Sequence, residues 1–295
     1  MKLVIDRVLG SGGLVIGWKA CRGPQLRRLA VFRRQEEAQA FTLDPLCAAS
    51  PVMTAISLGR RGSGRIGLVL RGCEVRSLVE AVRSRQLDRA RLDVHVARCG
   101  GVADAALLGA ALRERGAEGE VVSATDAGGD FEVLLEGGAK VRVEKERVLL
   151  RRCFDCRMPK AFAADSMEPG ALEPPALELP PSRRGEDEDP GRLFEDCILC
   201  MACRSACPGC FCKTCVFDGG LKKKLTPWMF HLTRTMHLAG RCTQCGECER
   251  VCPAGLPVQA MRRRLEKIIE ERYGFEGAGL NGDTKLPMLD GGPDD

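Results

Sequence analysis

Along the first 165 residues, apolar positions follow two alternating rhythms. Arg65-Ile66-Gly67-Leu68-Val69-Leu70 is a short apolar run that stops at Arg71-Gly72-Cys73, the pattern of a buried strand. From Glu74 to Gln86 the period lengthens, with Val75, Leu78, Val79 and Val82 at helical spacing and arginines on the other face. Leu92 to Val96 alternates as a strand and ends at Cys99-Gly100-Gly101. Val102 to Arg113 is an Ala- and Leu-rich helix that Gly116 stops. Strand, helix, strand, helix predicts an α/β domain with an open mixed sheet and flanking helices. A hairpin follows, Phe131 to Leu135 and Val141 to Leu150 around Gly137-Gly138. The N-terminal MKLVIDRVLG reads as a first strand, broken by Asp6 and Arg7 before any leader-like apolar core develops.

The pattern changes after residue 165. Residues 166–192 are rich in proline, glutamate and mixed charge and read as a linker or a surface strap. Residues 193–275 form a second domain that ends in an amphipathic helix over Leu256 to Tyr273, with Val258, Met261, Leu265, Ile268 and Ile269 on one face. The Gly-, Asp- and Pro-rich 276–295 segment reads as a loosely held tail. The division is therefore 1–165, 166–192, 193–275 and 276–295.

Composition adds one large anomaly. Hydrophobic content of 44% with 29% charged residues is that of a soluble globular chain, and no apolar stretch is long enough to span a membrane. These features predict a cytoplasmic protein. A net charge of +5 is too small to argue for nucleic acid. The anomaly is 17 cysteines, eleven of them between Cys197 and Cys252. A secreted disulfide scaffold is short and spreads its cysteines through the fold, so this clustering points to metal.

Cys197-x2-Cys200-x2-Cys203-x3-Cys207-Pro and Cys242-x2-Cys245-x2-Cys248-x3-Cys252-Pro are two copies of one pattern. Three thiolates spaced by three wrap a loop around one face of an iron–sulfur cube, and in bacterial dicluster proteins the fourth cysteine reaches the other cluster. The predicted ligand sets are Cys197, Cys200, Cys203 with Cys252, and Cys242, Cys245, Cys248 with Cys207. Zinc is the competing reading, but it prefers two separated pairs to a doubled triple spacing.

Other residues leave alternatives open. Cys210, Cys212 and Cys215 are either small buried side chains near the clusters or ligands that hold or compete for a further cluster. Lys222-Lys223-Lys224 is either a solvated face or a docking patch for an acidic redox partner. His231, His237 and His95 read as packing or hydrogen-bonding residues. In the first domain, Cys153-x2-Cys156 with Cys99 and Cys73 forms a third cluster site or else binds nothing. Cys47 is a substitute fourth ligand and Cys21 a bystander. Gly10-Ser11-Gly12-Gly13 and Gly59 to Gly67 match no nucleotide fingerprint and read as turns. No nucleophile–base pair supports hydrolysis.

Val15-Ile16-Gly17-Trp18, Arg65 to Val69 with Arg71-Gly72-Cys73-Glu74-Val75-Arg76, and Cys99-Gly100-Gly101-Val102 resemble the beta-subunit family of deazaflavin-reducing hydrogenase and formate dehydrogenase over roughly residues 1–165. Cys197 to Cys215 and His237-Leu238-Ala239-Gly240-Arg241-Cys242 are similar to the dicluster ferredoxin domain fused to bacterial members. The resemblance implies an electron-transfer subunit working beside formate dehydrogenase, hydrogenase or heterodisulfide-reductase-like partners. It also implies a cluster on Cys99, Cys153 and Cys156 with Cys73 or Cys47, and FAD in the first domain. Two other readings stand beside it, namely a flavin-containing subunit that itself reduces an organic acceptor, and a redox-sensing or scaffold protein with structural clusters.

Overall fold

The computed structural model describes residues 1–21, 26–62, 64–175, 189, 191–212, 214–218 and 225–281. The chain divides into two compact units, one of residues 1–75 with 87–181 and the other of 76–86 with 182–295. Among the described residues, no helix is long and apolar enough to cross a membrane.

The first unit opens with helix α1 (Lys2–Gly10), where the sequence pattern predicts a strand. Val4, Ile5, Val8 and Leu9 recur at helical spacing and are buried against Val15 and Phe32, while Asp6 and Arg7 point away from that core. Each such burial contributes about 1.5–3 kcal/mol, and a strand would have placed half of these side chains on the wrong face. The main sheet follows from β1 (Leu14–Ala20), β2 (Arg27–Phe32), β3 (Ile66–Arg71), β4 (Leu92–Ala97) and β8 (Ser166–Met167), in the order β2-β1-β3-β4-β8. β1 and β2 are antiparallel, and the remaining pairs are parallel. This is the open, mixed α/β arrangement the pattern predicts. Gly17 on β1 is required by close approach, because a Cβ there would lie 2.0 Å from the Phe41 ring.

Between β2 and β3 lies α2 (Val52–Gly59), and β3 runs directly into α3 (Gly72–Arg83). The arginine-lined outer face predicted for α3 is not solvated, since Glu74, Arg76, Ser77 and Glu80 are all buried. β4 departs from its predicted alternation in the same way, with all six residues buried. Asp93 at its start accepts ion pairs from Arg7 and Arg65, so burial on both faces is satisfied by charge pairing. α4 (Ala105–Glu114) is capped by Asp104, whose carboxylate accepts from the N–H groups of Ala106 and Leu107.

A second sheet, β5 (Val121–Ala127), β6 (Asp130–Leu135) and β7 (Lys140–Glu144), is antiparallel in chain order. Its first strand is missing from the hairpin the sequence predicts, because Val121 to Ala127 carries too few apolar side chains to announce itself. The predicted second hairpin strand stops at Glu144, and Lys145–Val148 turns as α5. Lys145 there is buried, paired with Asp126 at 2.6 Å.

In the second unit, α6 (Ala202–Ser205), α7 (Pro227–His237), α8 (Glu247–Arg250) and α9 (Ala260–Tyr273) carry or flank the cysteine motifs. Thr226 caps α7, with Pro227 in its first turn. The buried face of α9 includes Ala260, Met261 and Ile269 but also Arg262 and Glu266, whereas Ile268 is exposed. Phe275, Ala278 and Leu280, beyond α9, are buried.

Candidate metal centres

The two cysteine motifs fold alike, residue by residue. In the first, Leu199 and Met201 hold φ of 52° and 63°. At the same two offsets in the second, Gln244 and Gly246 hold φ of 54° and 72°. A single helical turn then begins at once in each, α6 after Met201 and α8 after Gly246, and carries the third cysteine, Cys203 or Cys248. The fourth cysteine closes the next turn, with the N–H of Cys207 bonding Arg204 O at 3.2 Å and that of Cys252 bonding Glu249 O at 3.1 Å. Three of the four left-handed residues are not glycine, and each such placement costs on the order of 1–2 kcal/mol. The chain adopts the same unfavourable path twice, at matching offsets between the first and third cysteines of each motif.

The thiols group around two places. Cys197, Cys200, Cys203 and Cys252 line one small cavity of about 20 Å³, together with Phe230 and His231. Burial is the first cause raising Cys197, and the negative charges of Cys252 and Cys200 add to it. Cys242 is pushed up to about 11 by burial, with Glu266, Cys207 and Cys248 adding and Arg262 opposing. Cys245 is raised by burial and then by Cys207, Glu247 and Cys248. The fourth cysteine of each motif thus lies in electrostatic reach of the other motif's thiols. Cys207 itself is held well below the thiol range by a hydrogen bond from Cys210 and by Arg234 and Arg262, against the effect of burial.

Two arginines at these sites escaped the sequence reading. Arg234 on α7 is 1% exposed and donates from Nε to Cys210 Sγ at 3.4 Å and from Nη2 to Cys203 O at 2.7 Å. Arg262 on α9 donates from Nη1 to Cys248 Sγ at 3.2 Å. Nη1 of Arg234, and Nε and Nη2 of Arg262, are buried without a hydrogen-bond partner. The available signal was Arg262 sitting inside the apolar stripe of α9. Two buried cations with unfilled donors fit a net-negative cluster of iron, sulfide and four thiolates. Among the described residues, no three His, Cys, Asp or Glu side chains are already disposed as a finished metal site, which holds for both sets and equally for the cysteines outside them.

His231 stacks on Phe194 at 3.9 Å and is driven down to about 3 by burial and the two arginines, so it is a neutral packing residue. His95 bonds Ser166 Oγ at 2.9 Å, the structural role its strand position predicts. Lys222-Lys223-Lys224 lies outside the described residues.

In the first unit, Cys73, Cys99, Cys153 and Cys156 come within electrostatic reach of one another around Arg71 and Arg152. Burial raises Cys73 well above the usual thiol range, with Arg152 opposing and Glu74, Cys156 and Cys99 adding to the rise. Cys153 is raised by burial, opposed by Arg152, with Cys99 next. Next to Cys99, Gly100 makes room for the Asp126 carboxylate, with which a Cβ would collide, and Gly101 holds φ of 110°. Cys47 lies beside Asp44 and Arg71, the arginine that also reaches Cys99, and is pushed up to about 12 by burial. Cys21 lies at the β1–β2 connection, its N–H bonding Leu26 O.

Comparison with known proteins gives two partial matches by sequence. A family model described as a 4Fe-4S dicluster domain matches residues 219–257, which hold the second cysteine motif. Over 103 residues the chain is 33% identical to the F420-dependent formate dehydrogenase subunit beta of Methanocaldococcus jannaschii, covering 33% of this chain and 26% of that protein. The chain therefore spans about a quarter of that relative's length. Among solved structures, a chain of the F420-reducing [NiFe] hydrogenase complex from Methanosarcina barkeri matches with 14% identity and a TM-score of 0.43, over 52% of this chain and 57% of that one. The resemblance to deazaflavin-linked beta subunits, and to dicluster ferredoxin domains, is thus shown for part of the chain in each case.

Proposed function

We propose that this chain is an iron–sulfur electron-transfer subunit of a multi-subunit oxidoreductase of the formate dehydrogenase, hydrogenase or heterodisulfide-reductase type. Two 4Fe-4S clusters belong on Cys197, Cys200, Cys203 with Cys252, and on Cys242, Cys245, Cys248 with Cys207. The observation that carries this reading is the doubled backbone path, with left-handed residues at matching offsets in both motifs.

Clusters of this kind, when bound, accept and release single electrons with the charge spread over metal and sulfur. The chain's part is electrostatic and steric. Arg234 and Arg262 hold positive charge beside the cysteines and favour the more negative, reduced state. Phe194, Phe230, Leu256 and Val258 form the apolar wall that lowers water access to the thiols. A third cluster on Cys73, Cys99, Cys153 and Cys156 is the corresponding reading for the first unit, where Arg71 and Arg152 supply the balancing charge.

The test is anaerobic purification of the full chain with iron, acid-labile sulfide and flavin measured per polypeptide. At least about eight irons with matching sulfide, falling by about four in Cys245→Ser, is the expected result. Four or fewer irons with zinc in intact protein overturns the electron-transfer reading.

A further inference from the structure

The two four-cysteine sets leave three neighbouring thiols unused. Cys210, Cys212 and Cys215 line an open cavity of about 300 Å³, and His237, the last residue of α7, lines it too. The bland account makes these cysteines small core residues. Their exposure opposes it, because Cys212 is exposed and Cys210 and Cys215 are only half-buried. Arg234 also lines the cavity, buried and with Nη1 unpartnered. It grips Cys210 Sγ through Nε at 3.4 Å.

We propose that Cys210, Cys212, Cys215 and His237 bind a further thiolate-ligated metal centre, distinct from the two dicluster sets. Three thiols spaced Cys-x-Cys-x2-Cys and an imidazole are donors suited to zinc or to an iron–sulfur cluster. Three thiolates on a divalent ion carry net negative charge, which the Arg234 guanidinium in the cavity lining offsets. The proposal rests on the foregoing reading only in leaving the other eight cysteines occupied.

The experiment compares the anaerobically purified full chain with a Cys212→Ser/Cys215→Ser variant, measuring iron, sulfide and zinc, and follows alkylation of Cys212 by iodoacetamide in the wild type. The expected loss in the variant is one zinc, or up to four irons with their sulfide, with the remaining iron unchanged. Cys212 alkylation should be at least about tenfold slower than in the denatured chain. A folded variant with wild-type metal content, or immediate alkylation of native Cys212, overturns the proposal. If the variant fails to fold, the alkylation rate decides alone. Cys212 protected in protein that lacks the dicluster iron supports this site while removing the reading of the other eight cysteines.

Discussion

A buried guanidinium beside a thiol changes what that thiol can do. Arg262 donates to Cys248 and has two further donors without partners. Removing its charge makes an added electron less welcome. Arg262→Met should therefore shift the neighbouring cluster to a more negative potential by on the order of 60 mV, the equivalent of tenfold in a one-electron equilibrium. Arg262→Lys should shift it less, and an EPR-monitored redox titration reads both. Backbone strain gives a second prediction. Met201 and Gly246 occupy the same left-handed position in the two motifs. Met201→Gly should leave the protein as stable or more so, while Met201→Val should destabilise it by more than about 1 kcal/mol; thermal unfolding of the loaded protein measures the difference. At this scale the repeat of the two cysteine motifs was legible from spacing alone, and the backbone follows it residue by residue. Arg234 and Arg262 were not, because a charged residue on an apolar helix face looks like noise until the neighbouring helix and thiols are placed.

Elements were legible where a run was bounded by clear stops and obscure where two periods fitted it equally. α4 declared itself through its Ala- and Leu-rich run and the Gly116 stop, while its N-terminal cap, Asp104, lies two residues past the predicted start at Val102. Asp104→Ala removes the acceptor for two N–H groups and should lower stability by about 1 kcal/mol, visible as a shift in the chemical denaturation midpoint without loss of iron. α1 was misread because a ten-residue apolar segment fits either period, and only packing against Val15 and Phe32 chooses. β4 was assigned correctly but its burial was not, since Asp93 and His95 mimic an outward face. Their partners, Arg65 and Ser166, are far off in sequence.

The whole molecule answers to acid through such buried groups. Burial holds His95 below its ordinary pKa, against the pull of Glu168. The folded state keeps it neutral, so the unfolded chain binds the extra proton and stability is lost as pH falls through the ordinary histidine range towards the lower folded value. His95→Asn should flatten the slope of unfolding free energy against pH below about 6.5, and a wild-type slope in that variant would discount the residue. Sequence could not show that the second unit is discontinuous, because nothing local marks residues 76–86 as belonging with 182–295. Within that unit, Arg76 donates through Nε and Nη2 to Ala278 O, 202 positions later, and Ser77 shares a hydrogen bond with Thr243. The consequence is one of timing on the ribosome. At about 5–20 residues per second, Arg76 waits roughly 10–40 s for its acceptor to be synthesised. During that interval the newborn chain carries a guanidinium destined for burial and nothing to bury it with, so the second unit closes only once residue 278 has been made.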